Sequence, residues 1–167
     1  MTKATINTIF ENIGKNLIFK HQTKEDKEFL LSLYASTRED ELSITSMSLA
    51  EKKAFIKQQF EAKEGYYAAK FSDAQFLIIS RKKQQIGRLI YAIDDSLHLI
   101  DIAIVKKSRD SGFGSEILHA LIHNSKILNK PLRLSVAIDN IKAIKLYQRL
   151  GLTMIDQHNY YYKMIKI

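Results

Sequence analysis

The stretch V-K-K-S-R-D-S-G-F-G-S-E-I-L, Val105 to Leu118, sets two glycines one residue apart just ahead of an apolar helical run, with Arg109 three positions before Gly112. A loop that leaves a buried strand and enters a helix gathers the first N–H groups of that helix on one spot. There they and the positive end of the helix dipole attract a phosphate. Gly112 and Gly114 let the main chain approach a ligand that a side chain would obstruct. Two familiar phosphate loops do not fit. A dinucleotide fingerprint would need glycine at Ile117 and an acidic ribose partner farther on, and a Walker loop would need Gly-Lys-Ser/Thr where the chain has Gly114-Ser115-Glu116.

The segment feeding this loop, Leu97 to Val105, is apolar at nearly every position, as in a strand covered on both faces. His98 and Asp101 break the pattern. Strand alternation puts Asp101 on the face of Leu99 and Ala103, and His98 opposite with Ile100 and Ile102. A two-residue turn at Asp94-Asp95, or a four-residue loop from Ile93 to Ser96, sets Arg88 directly across from Asp101 and predicts an ion pair. A three-residue loop with a bulge breaks that register. Such a pair would weaken the carboxylate as a base. His119 and His123 stand four apart, but no carboxylate follows the first, so an ordinary helix face is expected and no metal.

The elements that must position these groups follow from periodicity. Residues 1–16 read as an N-terminal extension, a short helical lead-in, and Leu17-Ile18-Phe19 as a first strand. A helix capped by Thr23 carries Phe29, Leu30, Leu33 and Tyr34, and the charged run Arg38-Glu39-Asp40-Glu41 is expected to break it into a loop. Ser48-Leu49-Ala50-Glu51 is a capping box opening a second helix through Lys63. Strands follow at Phe76–Ser80, Gln85–Ile93 and Leu97–Val105, then a helix at Gly112–Leu128, a strand at Leu132–Val136, a helix at Asn140–Leu150 and a closing hairpin, Thr153–Ile155 with Tyr161–Ile165. The class is α/β, and 167 residues fit a single domain, 1–167.

Net charge is +8, which favours anionic ligands. The densest basic run, Arg81-Lys82-Lys83, falls at a hairpin turn and reads as solvated rather than as a nucleic-acid patch. There is no cysteine, which excludes disulfides and thiolate nucleophiles. No signal core or membrane-length apolar run is present, so a cytoplasmic setting without membrane contact is expected.

Arg109-Asp110-Ser111-Gly112-Phe113-Gly114 resembles the R/Q-x-x-G-x-G/A signature of the GCN5-related N-acetyltransferases, the GNAT superfamily. About thirty residues later Asn140-Ile141-Lys142-Ala143-Ile144-Lys145-Leu146-Tyr147-Gln148-Arg149-Leu150-Gly151-Leu152 resembles that family's N-x-x-A-x-x-x-Y-x-x-x-G-F helix, with Leu152 in place of Phe. The resemblance implies a mixed, mostly antiparallel sheet of about seven strands flanked by about four helices. It implies acetyl-CoA as co-substrate and direct attack by a primary amine of a small molecule or peptide, without an acyl-enzyme. Main-chain groups of Ala103, Ile104 and Val105 would meet the pantetheine arm. Gly112 to Ser115, with the amides of Asp110 and Ser111 and the side chain of Arg109, would surround the pyrophosphate, Asp110 pointing away. Asn140 would lie near the pantetheine, with Ala143 beside it. Tyr147 would protonate the departing thiolate. Asp101 becomes a candidate base, Arg38, Glu39, Glu41 and Arg88 candidate acceptor contacts, and the Tyr160-Tyr161-Tyr162 stretch a pocket lining or homodimer contact. The alternatives are a non-catalytic acyl-CoA-binding module and a basic nucleic-acid-associated protein.

Overall fold

A computed structural model describes residues 9, 10, 13, 14 and 16–167. Seven strands form one sheet in the order β1-β2-β3-β4-β5-β7-β6. They are β1 Leu17–His21, β2 Gln75–Arg81, β3 Gln84–Ile93, β4 Leu97–Ile104, β5 Leu132–Ala137, β6 Thr153–His158 and β7 Tyr161–Lys166. Every neighbouring pair is antiparallel except β4–β5. Among the described residues four long helices accompany them: α1 Lys27–Ser43, α2 Leu49–Lys70, α3 Phe113–Ile127 and α4 Ile141–Arg149. This is the mixed α/β architecture expected.

Alternation along the strands assigns the helices to faces. On β2, Leu77 and Ile79 enter the main core with Ile117, Leu118 and Leu121 of α3 and Tyr147 of α4. Ile78 points the other way, into a second cluster with Leu30 and Tyr34 of α1 and Ile56 and Phe60 of α2. One sheet thus holds α3 and α4 against one face and α1 and α2 against the other.

Several boundaries differ from expectation. The run Arg38–Glu41 does not break α1, which continues to Ser43. The run contains no glycine or proline, and Arg38 pairs with Glu41 one turn on at 2.9 Å, so its charges support the helix. Helix α2 opens with the expected capping box, Glu51 N–H donating to Ser48 Oγ at 3.2 Å, but continues past Lys63 to Lys70. Of the expected lead-in, Ile9 and Phe10 are helical and buried, while 1–8, 11, 12 and 15 lie outside the described residues. Lys82 and Lys83 form the β2–β3 turn, both at positive φ.

The largest correction concerns β4. The turn is the three-residue Asp94-Asp95-Ser96, Ile93 facing Leu97, and the pairing slips between Tyr91↔Leu99 and Ile90↔Asp101. Ile100 is therefore an unpaired bulge residue, and a one-residue slip moves every later side chain to the opposite face. Leu97, Leu99, Ile102 and Ile104 all pack in the main core. Asp101 thus shares a face with His98 rather than with Leu99.

Candidate active site

Three features meet at the C-terminal end and the α2-facing side of β4. The first is the loop. A short 3-10 turn, Lys106–Ser108, follows the strand, and Val105 N–H donates to Ile86 O at 2.8 Å, holding the strand end to β3. Asp110 (φ 58°) and Gly112 (φ 80°) are both left-handed. This conformation is open to glycine and tolerated by aspartate. The first α3 hydrogen bond runs from Glu116 N–H to Gly112 O at 3.1 Å, so the N–H groups of Gly114 and Ser115 stand ahead of the helical ladder. Among the described residues no atom outside the local chain lies within 4 Å of where a Cβ on Gly114 would stand. The approach that glycine permits is open. Phe113 is buried in the main core and anchors the turn, with the Arg81 guanidinium 5.3 Å above its ring. Arg81, Lys107, Ser108, Ser111 and Phe113 line an open depression of ≈ 360 Å³ beside the loop.

The loop is clasped to α1. Arg109 Nε donates to Ile104 O at 2.8 Å and Nη2 to Ser36 Oγ at 3.2 Å, while Lys106 pairs with Glu39 at 2.7 Å. The Arg109 guanidinium thus binds the protein's own strand end and helix. Asp110 is exposed and paired with Lys142 near the start of α4.

The second feature is a splay in the sheet. Strands β4 and β5 pair over Leu97–Leu99 and Leu132–Leu134 alone. Beyond that seam Asp101, Ile102, Ala103 and Ile104 have β3 along one edge and, among the described residues, no strand along the other. Helix α4 packs near this opening. Asn140 is its N-cap, its Oδ1 accepting from Ala143 N–H at 3.2 Å, which commits that oxygen to the helix start. Tyr147 is buried at 8% exposure. Burial, and then the negative charge of Asp101, push its phenol up to about 12.

The third feature is a buried charge cluster. Arg88, 4% exposed, donates to Asp101 Oδ2 at 3.0 and 3.2 Å and to Glu64 of α2. The expected Arg88–Asp101 pair exists, but diagonally: Asp101 faces Ile90 and Arg88 faces Ala103. Lys63 Nζ lies 3.7 Å from Asp101 Oδ1. Burial opposes the charge on Arg88, and the flanking Asp101 and Glu64 carboxylates outweigh it, so the guanidinium stays charged. Tyr67 is driven upward by burial and by the same carboxylates.

The other expected contacts are spread out. Arg38 and Glu39 lie on α1 rather than in a loop. Arg38 bonds Tyr34 Oη at 3.2 Å and Glu41. His98 stands edge-on to Phe71 with ring centroids 5.8 Å apart, its imidazole pushed down by burial and by Arg133. His119 and His123 are exposed on α3. Tyr160 and Tyr161 are exposed, whereas Tyr162 packs against the core. Sequence reasoning missed Glu64 and Tyr67, because the expected helix ends at Lys63, and it missed Lys63 itself and Tyr34 beyond a core role. It also set Arg81 aside as a turn cation. No local signal brings residue 81 to the loop; only the pairing of β2 and β3 does.

A family model for the acetyltransferase (GNAT) family matches residues 33–152. No curated protein sequence matches the chain significantly. Among solved structures, it is similar to a PaiA N-acetyltransferase from Thermoplasma acidophilum in complex with coenzyme A (TM-score 0.67, 17% identity, 90% of this chain and 98% of that one). An acetyltransferase from Thermus thermophilus gives a TM-score of 0.64 at 14% identity, covering 90% and 96%. A chimera of the spermidine N-acetyltransferase SpeG from Vibrio cholerae gives 0.60 at 20%, covering 90% and 94%. With a family match spanning most of its length and a seven-stranded mixed sheet behind the glycine loop, the chain belongs to the acetyltransferase (GNAT) family.

Proposed function

We propose that the chain, as one domain over residues 1–167, is an acetyl-CoA-dependent N-acetyltransferase acting on a primary amine. The observation that carries this reading is the left-handed Gly112 opening α3, with open space over Gly114 ahead of the first helical hydrogen bond. A diphosphate fits that opening. The N–H groups of Gly114 and Ser115 would hold it, aided by the helix dipole and by Lys107 and Arg81 on the depression's wall. Main-chain groups of Ala103, Ile104 and Val105, beyond the three-pair seam, would align the pantetheine arm.

Acetyl-CoA supplies an acetyl thioester. The chain's residues supply the rest. A main-chain N–H on the splayed edge would meet the negative charge that develops on the carbonyl oxygen. Asp101 Oδ1, the oxygen not taken by Arg88, lies 3.7 Å from Lys63 Nζ and would take the amine proton directly or through water. Tyr147 holds its proton across the neutral range and would give it to sulfur as the amine nitrogen bonds to carbon. The absence of cysteine is in keeping with direct attack and with a reducing, cytoplasmic setting.

The test is release of free thiol from acetyl-CoA across a panel of primary amines, beside calorimetry of coenzyme A. Binding in the micromolar range and amine-dependent thiol are expected. Binding without thiol from any amine would identify a non-catalytic acyl-CoA-binding module. No binding at all would overturn the reading.

A further inference from the structure

Lys63 extends from α2 across two aromatic rings, its Nζ 5.5 Å from the centroid of Tyr34 and 5.4 Å from that of Tyr67. It ends 3.7 Å from Asp101 Oδ1, beyond hydrogen-bonding distance, so the contact is ionic only. Two aromatic faces and a carboxylate oxygen around one ammonium are the components of an alkylammonium site. The surrounding groups hold those components in place. Arg88 occupies Asp101 Oδ2 and Glu64, which leaves Oδ1 turned toward Lys63. Arg38 fixes Tyr34 through its hydroxyl while tied to Glu41.

Charge counting points the same way. Glu64 and Asp101 against Arg88 leave one negative charge, and the Lys63 ammonium balances it. Any other ammonium would balance it equally well. The Lys63 side chain is 33% exposed, on a flexible four-carbon stem, so it can leave for water at small cost.

We propose that Lys63 is a tethered occupant of the acceptor site, and that the acceptor is recognised as a primary alkylammonium that displaces it from Tyr34, Tyr67 and Asp101. This rests on the acetyl-transfer reading, in which the amine arrives beside β4. The exchange of one ammonium for another keeps the buried cluster neutral, whereas an anionic acceptor would add a second uncompensated charge. The site thus selects for charge before the amine gives up its proton, and Lys63 keeps it filled in the acceptor's absence.

The experiment uses n-butylammonium chloride as the probe, titrated calorimetrically at constant ionic strength. Lys63→Met keeps the stem and removes the occupant, and should bind the probe at least about threefold more tightly than the wild type. Adding Tyr67→Leu should cancel that gain. Equal affinity in wild type and Lys63→Met, or no binding in either, overturns the proposal. In the wild-type protein with ¹³C-methylated lysines, the Lys63 signal should start shifted by the two rings and move toward the solvent value as the probe is added. A signal that stays put overturns the proposal independently of any variant. Coenzyme A binding, measured separately, keeps the two readings apart. Loss of it sinks acetyl transfer while leaving the ammonium exchange, and retained binding with no exchange sinks the exchange alone.

Discussion

The end of strand β4 and its α2-facing side are built from different materials. The loop at the end is main chain: two left-handed residues, an open glycine and the start of a helix, with side chains serving mostly to clasp it to α1 and the core. The cluster on the face is side chain: Arg88, Asp101, Glu64, Lys63 and Tyr67 from β3, β4 and α2. A main-chain site depends on φ values and on the space a Cβ would take. A side-chain site depends on a charge count and a register. The first should be most sensitive to a change of backbone freedom at the glycines, and the second to the loss of a single charge.

The largest effect should come from breaking the charge count. Arg88→Ala leaves two carboxylates in a buried setting and should destabilise the fold by about 3–5 kcal/mol, read by chemical denaturation. Unchanged stability would mean that the cluster is not a balanced unit, and the contrast with the loop would collapse. Tyr147→Phe should come next, lowering kcat by about 100-fold while acetyl-CoA affinity stays as it was. Because its phenol is pushed up to about 12, the wild-type kcat should rise as the amine deprotonates and show no fall through the mildly alkaline range. An alkaline fall there, absent in Tyr147→Phe, would assign the phenol a far lower value and a looser setting. Gly112→Ala is the smallest and most specific change. A left-handed alanine costs about 1–2 kcal/mol, and a free loop that relaxes out of that conformation must regain it on binding, so acetyl-CoA should bind about tenfold more weakly, with kcat at saturation unchanged. Unchanged affinity together with unchanged stability would show that the left-handed conformation is not required at this position.

The same contrast explains what could be read from the chain in advance. The loop and the Asn140–Leu152 helix are local: glycine spacing, capping residue and tyrosine sit within a few turns of one another, and the succession of elements along the chain follows from periodicity. The cluster is assembled across elements. The Arg88–Asp101 pair was anticipated through a register that does not occur, and it survives because an arginine reaches its diagonal neighbour as well as the residue opposite. Glu64 and Tyr67 enter only because α2 runs on to Lys70, and Lys63 only because that helix packs over β4. Arg109 shows the reverse case: its position in the motif was legible, but its partners, Ile104 and Ser36, depend on how α1 packs.

Ile100 gives strand β4 a parity. Before it, odd-numbered residues point toward α3; after it, even-numbered ones do. Loss of Ile100 alone would therefore remove the bulge without turning the strand over: Leu99, Asp101, Ile102 and Ala103 would keep the partners and faces they hold now, opposite Tyr91, Ile90, Leu89 and Arg88. The extra residue lengthens the strand without altering which side chains meet α3 and which meet the ions, so sidedness here is carried by the register against β3.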